Sequence, residues 1–295
     1  MASLHEREGL KRTSFLIVLV LLLQLHCRGV ESVKVPALFV FGDSTVDPGN
    51  NNYLSTPFKS NHSPYGRDFI NHKPSGRFSN GKLVTDFIAE GLGLKETVPA
   101  YLDQALTTRD LITGVSFASA SSGYDDLTAQ ASSALPLRGQ LQLFKKYRKR
   151  LGEMVGEREA SNIIRQGLYL CSTGTNDLTI GMALRARQFG RLEQYQDFLL
   201  QAAHKFIQEL YSAGARKVAF VGVPAVGCLP VERAAERFII KKNECADEPN
   251  QAAISFNEKL ILMVPRLRSL LPQLKLQYVD IYNISSDVVH NPNKY

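Results

Sequence analysis

The chain has 295 residues, 44% of them hydrophobic, and a formal net charge of +7. That length and composition are ordinary for one large globular domain with a full core. No cysteine–histidine spacing suggests a zinc site. The basic run 145–150 lacks aromatic interleaving and any nucleic-acid motif. It is typical of a solvated helix face and argues against a nucleic-acid partner.

The amino terminus has the pattern of a targeting segment. Lys11 and Arg12 precede an apolar run, residues 15–25, interrupted only by Gln24. Eleven residues are too few to cross a bilayer and suit the core of a signal peptide. We therefore expect a signal peptide over residues 1–29, a secreted domain over 30–295 and no stable membrane span; a signal anchor is the alternative.

The first predicted strand ends in a serine. Four apolar residues, 38–41, run into Gly42, Asp43 and Ser44, and turn-forming residues follow. This pattern predicts a buried strand that ends in a tight turn with Ser44 at its tip. Ligands bind at the carboxyl ends of strands in open α/β sheets, so Ser44 is a candidate nucleophile. The structural alternative is a turn that caps the next helix.

The rest of the chain alternates helices and strands, which predicts a parallel sheet covered on both faces in one doubly wound domain. In chain order we expect a long polar segment over 47–82, a helix from Leu83, a strand over 114–118, helices near Leu141 and over 157–165, a strand over 168–172, a helix over 192–213, a strand over 217–221, a helix over 252–271 interrupted near Pro265, and a strand over 275–282.

Two of these strands run into loops that complement a serine nucleophile. The strand over 114–118 enters a small-residue loop that ends at Gly123, and the strand over 168–172 enters Gly174, Thr175, Asn176 and Asp177. A hydroxyl nucleophile needs backbone N–H groups and an amide donor around the developing oxyanion. Gly123 and Asn176 are therefore candidate donors; the structural alternative for Asn176 is a turn residue.

In order and spacing, these motifs resemble the plant-type branch of the GDSL esterase/lipase family, also called SGNH hydrolases. The resemblance runs from about Ala37 to Tyr295, with support from the stretches 76–82, 223–230 and 278–283. It implies a three-layer α/β/α, flavodoxin-like fold with a mainly parallel five-stranded sheet that lacks its last helical segment. It also implies hydrolysis of small-molecule or lipid acyl esters, with no cofactor or metal; the oligomeric state stays open.

The same resemblance assigns the site residues. Ser44 would be the nucleophile, Asn176 would donate its side-chain amide to the oxyanion, and Gly123 would donate its backbone N–H. Two residues depart from the family pattern, because Thr45 replaces a leucine and Ser121 replaces a glycine. A serine there restricts φ and adds bulk, so the oxyanion hole is expected to be distorted.

The family's general base comes from a late Asp-x-x-His followed by Pro-Thr, which this sequence does not contain. The literal match, Asp287 to His290, occupies an upstream position by the family pattern and is interpreted as a coincidence. The sequence thus predicts a truncated member with weak or no activity. The rival interpretations are a non-catalytic lipid- or acyl-carbohydrate-binding protein, and a carbohydrate O-acetyl transferase or deacetylase on the same scaffold.

The four cysteines and two sequons complete these expectations. Cys27 would leave with the signal peptide, and Cys171 lies in an apolar strand as a buried free thiol. Cys228 and Cys245 lie in loop-like context, where an exported protein can form a disulfide. Asn61 and Asn283 begin glycosylation sequons that matter only in a secreted chain.

Overall fold

The computed structural model describes residues 35–235 and 244–295. The predicted signal peptide over residues 1–29, with Cys27, lies outside the described residues. No helix in the described ranges is long and apolar enough to cross a membrane.

Four parallel strands form the sheet, in the order β1-β2-β3-β4. They are β1 (Leu38–Gly42), β2 (Leu168–Ser172), β3 (Lys217–Val221) and β4 (Lys275–Val279). Strands β1 and β2 pair in register, with Leu38 opposite Leu168 and Gly42 opposite Ser172. The loops that follow β1 and β2 therefore leave the same edge of the sheet, side by side.

The fifth predicted strand, 114–118, lies beside β1 but is not a regular strand. Its backbone bonds alternate with those of β1, with Val40 N–H donating to the Val115 carbonyl and Phe117 N–H to the Val40 carbonyl. This segment forms only isolated parallel bridges, in which Ser116 pairs with Val40 and with Ala100. Gly114 enters the segment with a φ of +93°, a backbone bend that breaks the regular ladder. Within residues 35–235 and 244–295, the sheet thus has four regular strands rather than the five predicted.

Helices connect the strands and lie on both faces of the sheet. They are α1 (Val84–Gly91), α2 (Thr108–Ile112), α3 (Asp126–Gln130), α4 (Leu137–Val155), α5 (Glu157–Gln166), α6 (Met182–Phe189), α7 (Leu192–Ser212), α8 (Pro230–Ala235), α9 (Asp247–Leu270) and α10 (Tyr282–His290).

The strand side chains divide the core into two clusters, one on each face of the sheet. Along β1, Phe39 and Phe41 join the large cluster that packs against α4, α5, α7 and α9. Leu38 and Val40 point the other way, into a smaller cluster that includes Ala89 of α1. This alternation follows from the two-residue period of a strand. The result is the expected three-layer α/β/α architecture.

Helix α9 continues through Pro265, so the predicted interruption is wrong. A proline inside a helix removes the hydrogen bond to the carbonyl four residues earlier, here that of Ile261. Both Pro265 and Ile261 are exposed. Water can therefore bond the released carbonyl, which explains why the helix is tolerated there.

The cysteines have the expected states. Cys228 and Cys245 form a disulfide that links the turn before α8 to the start of α9. Cys171 is buried in β2 and free. Burial raises the pKa of its thiol, which is therefore inert packing material rather than a nucleophile.

Candidate active site

Ser44 lies on a short turn that the residue before it stabilises. Asp43 accepts hydrogen bonds from Thr45 N–H at 3.0 Å and from Thr45 Oγ1 at 2.7 Å. Gly42 has a φ of +140°, and a Cβ there would lie 1.9 Å from the carbonyl oxygen of Ser172. Only glycine permits β1 and β2 to approach so closely before Ser44. Ser44 itself is half-buried.

The loop that carries Gly123 is held from both sides by two consecutive residues after β2. Asn176 Nδ2 donates to the Ser122 carbonyl at 2.9 Å, and the Asp177 carboxylate accepts from Tyr124 N–H at 2.7 Å. A Cβ on Gly123 would lie 2.2 Å from Asp177 Oδ1. The approach of this carboxylate therefore requires a glycine at position 123.

Ser122 connects the three loops to one another. Its hydroxyl donates to the Gly42 carbonyl at 2.7 Å, while its own carbonyl accepts from Asn176. The bonds of Ser122 thus tie the segment before Ser44, the segment of Gly123 and the segment of Asn176 together. The fold thus brings Ser44, Gly123 and Asn176, the three candidate residues, to one edge of the sheet.

Several N–H groups of these three segments have no hydrogen-bond acceptor within the described residues. Among the residues that the structure describes, neither Ser44 N–H nor Gly123 N–H has an acceptor. Asn176 uses one amide N–H on Ser122, which leaves its second N–H. Two backbone N–H groups and one side-chain N–H are thus left without acceptors, and these are the types of donor that an oxyanion hole uses.

Ser121 has a φ of +69°, in the left-handed region that favours glycine. The serine at the position where the family pattern has a glycine therefore adopts a glycine-like conformation. The cost is local strain of about 1–2 kcal/mol.

Sequence reasoning missed the buried amides that hold the site. Gln140 of α4 is fully buried; its Oε1 accepts from Gly42 N–H at 2.9 Å and its Nε2 donates to the Gly42 carbonyl at 2.9 Å. Nε2 also lies 3.1 Å from Ser122 Oγ. One signal was available in the sequence, because Gln140 occupies the apolar face of its helix between Leu137 and Phe144.

Two asparagines and one aspartate hold the turn after Ser44 in the same way. Asn50 Nδ2 donates to the carbonyls of Ser116 and Ala118, at 2.9 and 2.8 Å. Asn51 Nδ2 donates to the Ala120 carbonyl, and Asp47 accepts from Ala120 N–H at 3.0 Å. The predicted long polar segment is thus packed by its own side chains against the loop of Gly123.

Three buried carboxyls lie within this framework. Burial raises the pKa of Asp43 and of Asp47 to about 6, and that of Asp177 to about 7, in each case against hydrogen bonds that lower it. Asp43 Oδ2 is buried without a hydrogen-bond partner in the described ranges. One oxygen of the Asp43 carboxyl is thus left without a compensating hydrogen bond, whereas Asp177, with the highest pKa, is the least stabilised of the three as an anion.

The Asp287–His290 pair is not arranged as a catalytic dyad. Asp287 accepts from Lys294 Nζ at 2.7 Å, Tyr295 OH at 2.6 Å and Asn291 Nδ2 at 2.7 Å. The Lys294 hydrogen bond is the main reason why the pKa of Asp287 falls to about 2. His290 Nδ1 lies 2.7 Å from the carbonyl oxygen of Ser286 instead.

The hydroxyl of Ser44 makes no hydrogen bond to any residue in 35–235 or 244–295. The ring nitrogens of His62 contact the carbonyls of Ser63 and Lys59, and His72 Nδ1 contacts the carbonyl of Arg67. No imidazole in this part of the chain therefore hydrogen-bonds Ser44 Oγ. In these same ranges, no cluster of acidic, histidine and cysteine side chains could hold a metal ion.

Comparison with known proteins identifies the family. A family model described as GDSL-like lipase/acylhydrolase matches residues 38–293. Among the most similar relatives are three GDSL esterase/lipases of Arabidopsis thaliana. One is 43% identical over 269 residues, covering 90% of this chain and 76% of the relative. The second is 44% identical over 265 residues, covering 89% and 75%.

The third relative is 43% identical over 289 residues, covering 97% of this chain and 82% of its own length. The matched residues include the strand before Ser44 and both loops that converge on it. The chain therefore belongs to the GDSL lipase/acylhydrolase family and is, by family, a carboxylic ester hydrolase.

Proposed function

We propose that this protein is a secreted ester hydrolase of the lipase or carboxylesterase type that works through a seryl acyl-enzyme. The observation that carries the proposal is the convergence of Ser44, Gly123 and Asn176 through the bonds of Ser122. A nucleophile hydroxyl beside three N–H donors that lack internal acceptors suits acyl transfer.

In the proposed reaction, Ser44 Oγ attacks the ester carbonyl and loses its proton to a base. The carbonyl oxygen becomes an oxyanion that accepts from Ser44 N–H, Gly123 N–H and Asn176. Collapse breaks the bond to the alcohol, which leaves with the proton, and forms the acyl-serine. Water then attacks the acyl-serine, releases the carboxylic acid and restores Ser44.

The lack of a base beside Ser44 limits the reaction rate in this proposal. No imidazole hydrogen-bonds Ser44 Oγ within 35–235 or 244–295, so no base there accepts the hydroxyl proton. Loss of a triad member leaves only the catalysis that the oxyanion hole and substrate binding supply. We therefore expect only weak hydrolysis of short esters wherever no base reaches Ser44.

Export is part of the same proposal. The basic-then-apolar residues 11–25 suit a signal peptide ahead of a domain over 30–295. The Cys228–Cys245 disulfide fits an oxidising compartment. Asn61 and Asn283 are exposed, as glycosylated asparagines must be.

The unactivated Ser44 also favours a second candidate function. A protein that keeps the cleft without a base could bind lipids or acyl-carbohydrates and turn nothing over. A carbohydrate O-acetyl transferase or deacetylase on the same scaffold would instead require an activated serine, as an esterase does.

A fluorophosphonate probe, followed by p-nitrophenyl acetate hydrolysis, tests the proposal. We expect slow labelling that maps to Ser44 and disappears in Ser44→Ala, with Ser286→Ala as the control that keeps it. Labelling elsewhere, or none after long exposure, would favour the binding protein. Robust turnover that is lost in His290→Ala would show that Asp287 and His290 complete the triad.

A further inference from the structure

A second cavity, of about 350 Å³, opens between α4, α6 and α7. Tyr124, Asp125 and Asp126 line one side of it, but Ser44, Gly123 and Asn176 do not. Its volume lies at the lower end of the range for small-molecule sites, roughly 300–1,000 Å³. The cavity is therefore large enough for a small ligand and is separate from the oxyanion donors.

The inner wall of this cavity is apolar. It consists of Leu137, Leu141, Phe198, Ala202 and Phe206. Leu137 and Leu141 lie one turn apart on α4, while Ala202 and Phe206 lie one turn apart on α7. Two apolar helix faces thus form a trough that suits an aliphatic chain.

Charged side chains form the rim, and its three carboxylates already have partners. Arg185 binds Asp125 through two hydrogen bonds, of 2.6 and 2.8 Å. Arg138 Nη2 lies 3.0 Å from Asp126 Oδ2. Both guanidinium groups are therefore committed to aspartates that face the same cavity.

Glu209, the third carboxylate, pairs with Lys145 at 3.4 Å. Lys205 is different, because its exposed ammonium has no ion pair or hydrogen bond with any residue that the structure describes. The rim thus offers one ammonium group without an ion-pair partner above an apolar trough.

We propose that this cavity binds a medium-chain carboxylate, with its aliphatic chain in the trough and its carboxylate on Lys205. The chain buries apolar area against α4 and α7, and the anion supplies the charge that Lys205 lacks. A doubly charged phosphate would need a second uncommitted cation, and the arginines do not provide one. The proposal does not depend on catalysis by Ser44.

Titration calorimetry at low salt with three probes that carry alkyl chains of similar length tests the charge requirement. We expect octanoate to bind, and octanol and octyltrimethylammonium to bind about tenfold more weakly or not at all. Added salt should weaken the octanoate affinity because the rim is exposed. Equal binding of octanol and octanoate would overturn the role of Lys205, and absence of octanoate binding would overturn the site.

Two substitutions locate the probe. Lys205→Gln should weaken octanoate binding about tenfold, whereas Lys146→Gln, an exposed unpaired lysine on α4 outside the cavity, should not change it. Ala202→Phe should abolish binding by filling the trough, and its folding is checked by its circular dichroism. Unchanged affinity in both cavity variants would refute the proposal.

The experiment also separates this site from the hydrolase. Octanoate is a potential product, so it could occupy the cleft at Ser44 instead. Binding that survives in Ser44→Ala, yet falls in Lys205→Gln, supports the second cavity whether or not Ser44 reacts with fluorophosphonate. Binding that is lost in Ser44→Ala and kept in Lys205→Gln would place octanoate in the cleft and refute the proposal.

Discussion

Single residues fix the backbone around the candidate nucleophile. A Cβ at position 42 would collide with the backbone of Ser172, so this position requires glycine. A Cβ at position 123 would collide with the carboxylate of Asp177, so this position requires glycine as well. Ser121 occupies a glycine-like conformation without being glycine. Nothing in the described ranges hydrogen-bonds the hydroxyl of Ser121. Its side chain thus adds strain without a compensating bond.

Ser121→Gly should therefore stabilise the protein. Relief of a left-handed φ is worth about 1–2 kcal/mol, and the greater freedom of glycine in the unfolded chain removes roughly half of that. We expect a gain of about 0.5–1 kcal/mol in the free energy of unfolding, measured by urea titration. Ser212→Gly, at a helical position of α7, should lower stability instead. A loss of stability in Ser121→Gly would contradict the strain argument.

Asp43 should make stability depend on pH in a defined direction. Its pKa is raised by burial to about 6, so the folded state binds its proton more tightly than the unfolded state. The stabilisation that protonated Asp43 contributes is fully present below about pH 4. It is lost as the pH rises through about 6, which lowers the free energy of unfolding by roughly 3 kcal/mol.

Asp43→Asn removes this titration. Compared with the variant, the wild-type protein should lose free energy of unfolding between about pH 4 and about pH 7, as urea titrations at a series of pH values would reveal. Parallel curves for the two proteins would show that Asp43 titrates at an ordinary pKa.

Helix α4 places one buried glutamine, Gln140, at the end of β1. Gln140 bonds both peptide groups of Gly42 and lies next to Ser122, so the helix sets the distance between the Ser44 and Gly123 loops. The basic run on the same helix lies on its outer side, apart from buried Tyr147, as its predicted solvated face requires.

Gln140→Leu should slow the reaction of Ser44 more than it harms the fold. Leucine fills the space but removes the bonds to Gly42, so the oxyanion donors shift. We expect fluorophosphonate labelling of Ser44 to slow by about tenfold or more.

The matched control is Gln196→Leu. Gln196 is equally buried, on α7, but its bonds go to Ala252 and Ser255 of α9. It should lose comparable stability and keep its labelling rate. Equal slowing in both variants would mean that Gln140 acts only through general stability.

For the whole molecule, the disulfide links parts of the chain that the sheet does not. It closes the segment between the turn after β3 and helix α9, with a sequence separation of 17 from Cys228 to Cys245. The main chain supports the same closure, because Ala246 N–H donates to the Gly227 carbonyl at 2.8 Å.

Removing the disulfide should lower global stability. The chain-entropy model gives about 3 kcal/mol for a loop of this length. We expect Cys228→Ser with Cys245→Ser to lower the free energy of unfolding by that amount, and dithiothreitol to have the same effect on the wild type. The double variant should not respond to dithiothreitol; a response would implicate another bond.

Local patterns in the sequence were sufficient for the layers and for the three candidate residues that lie together at one edge of the sheet. Apolar runs such as 38–41 predicted the parallel strands, because strands buried on both faces need continuous apolar residues. Loops after the strand ends predicted Ser44, Gly123 and Asn176 as neighbours. Pairing of Cys228 with Cys245 followed from their loop context and an oxidising compartment.

Contacts between distant segments decided the rest. The strand predicted over 114–118 became irregular because Gly114 bends it, and helix α9 ran through Pro265 because its freed carbonyl faces water. The hydrogen bonds between Gln140 and Gly42 join residues 98 positions apart, and the bond from Asn176 to Ser122 joins residues 54 positions apart. Local periodicity carries no information about such partners, since only the closed chain brings their donors and acceptors within reach.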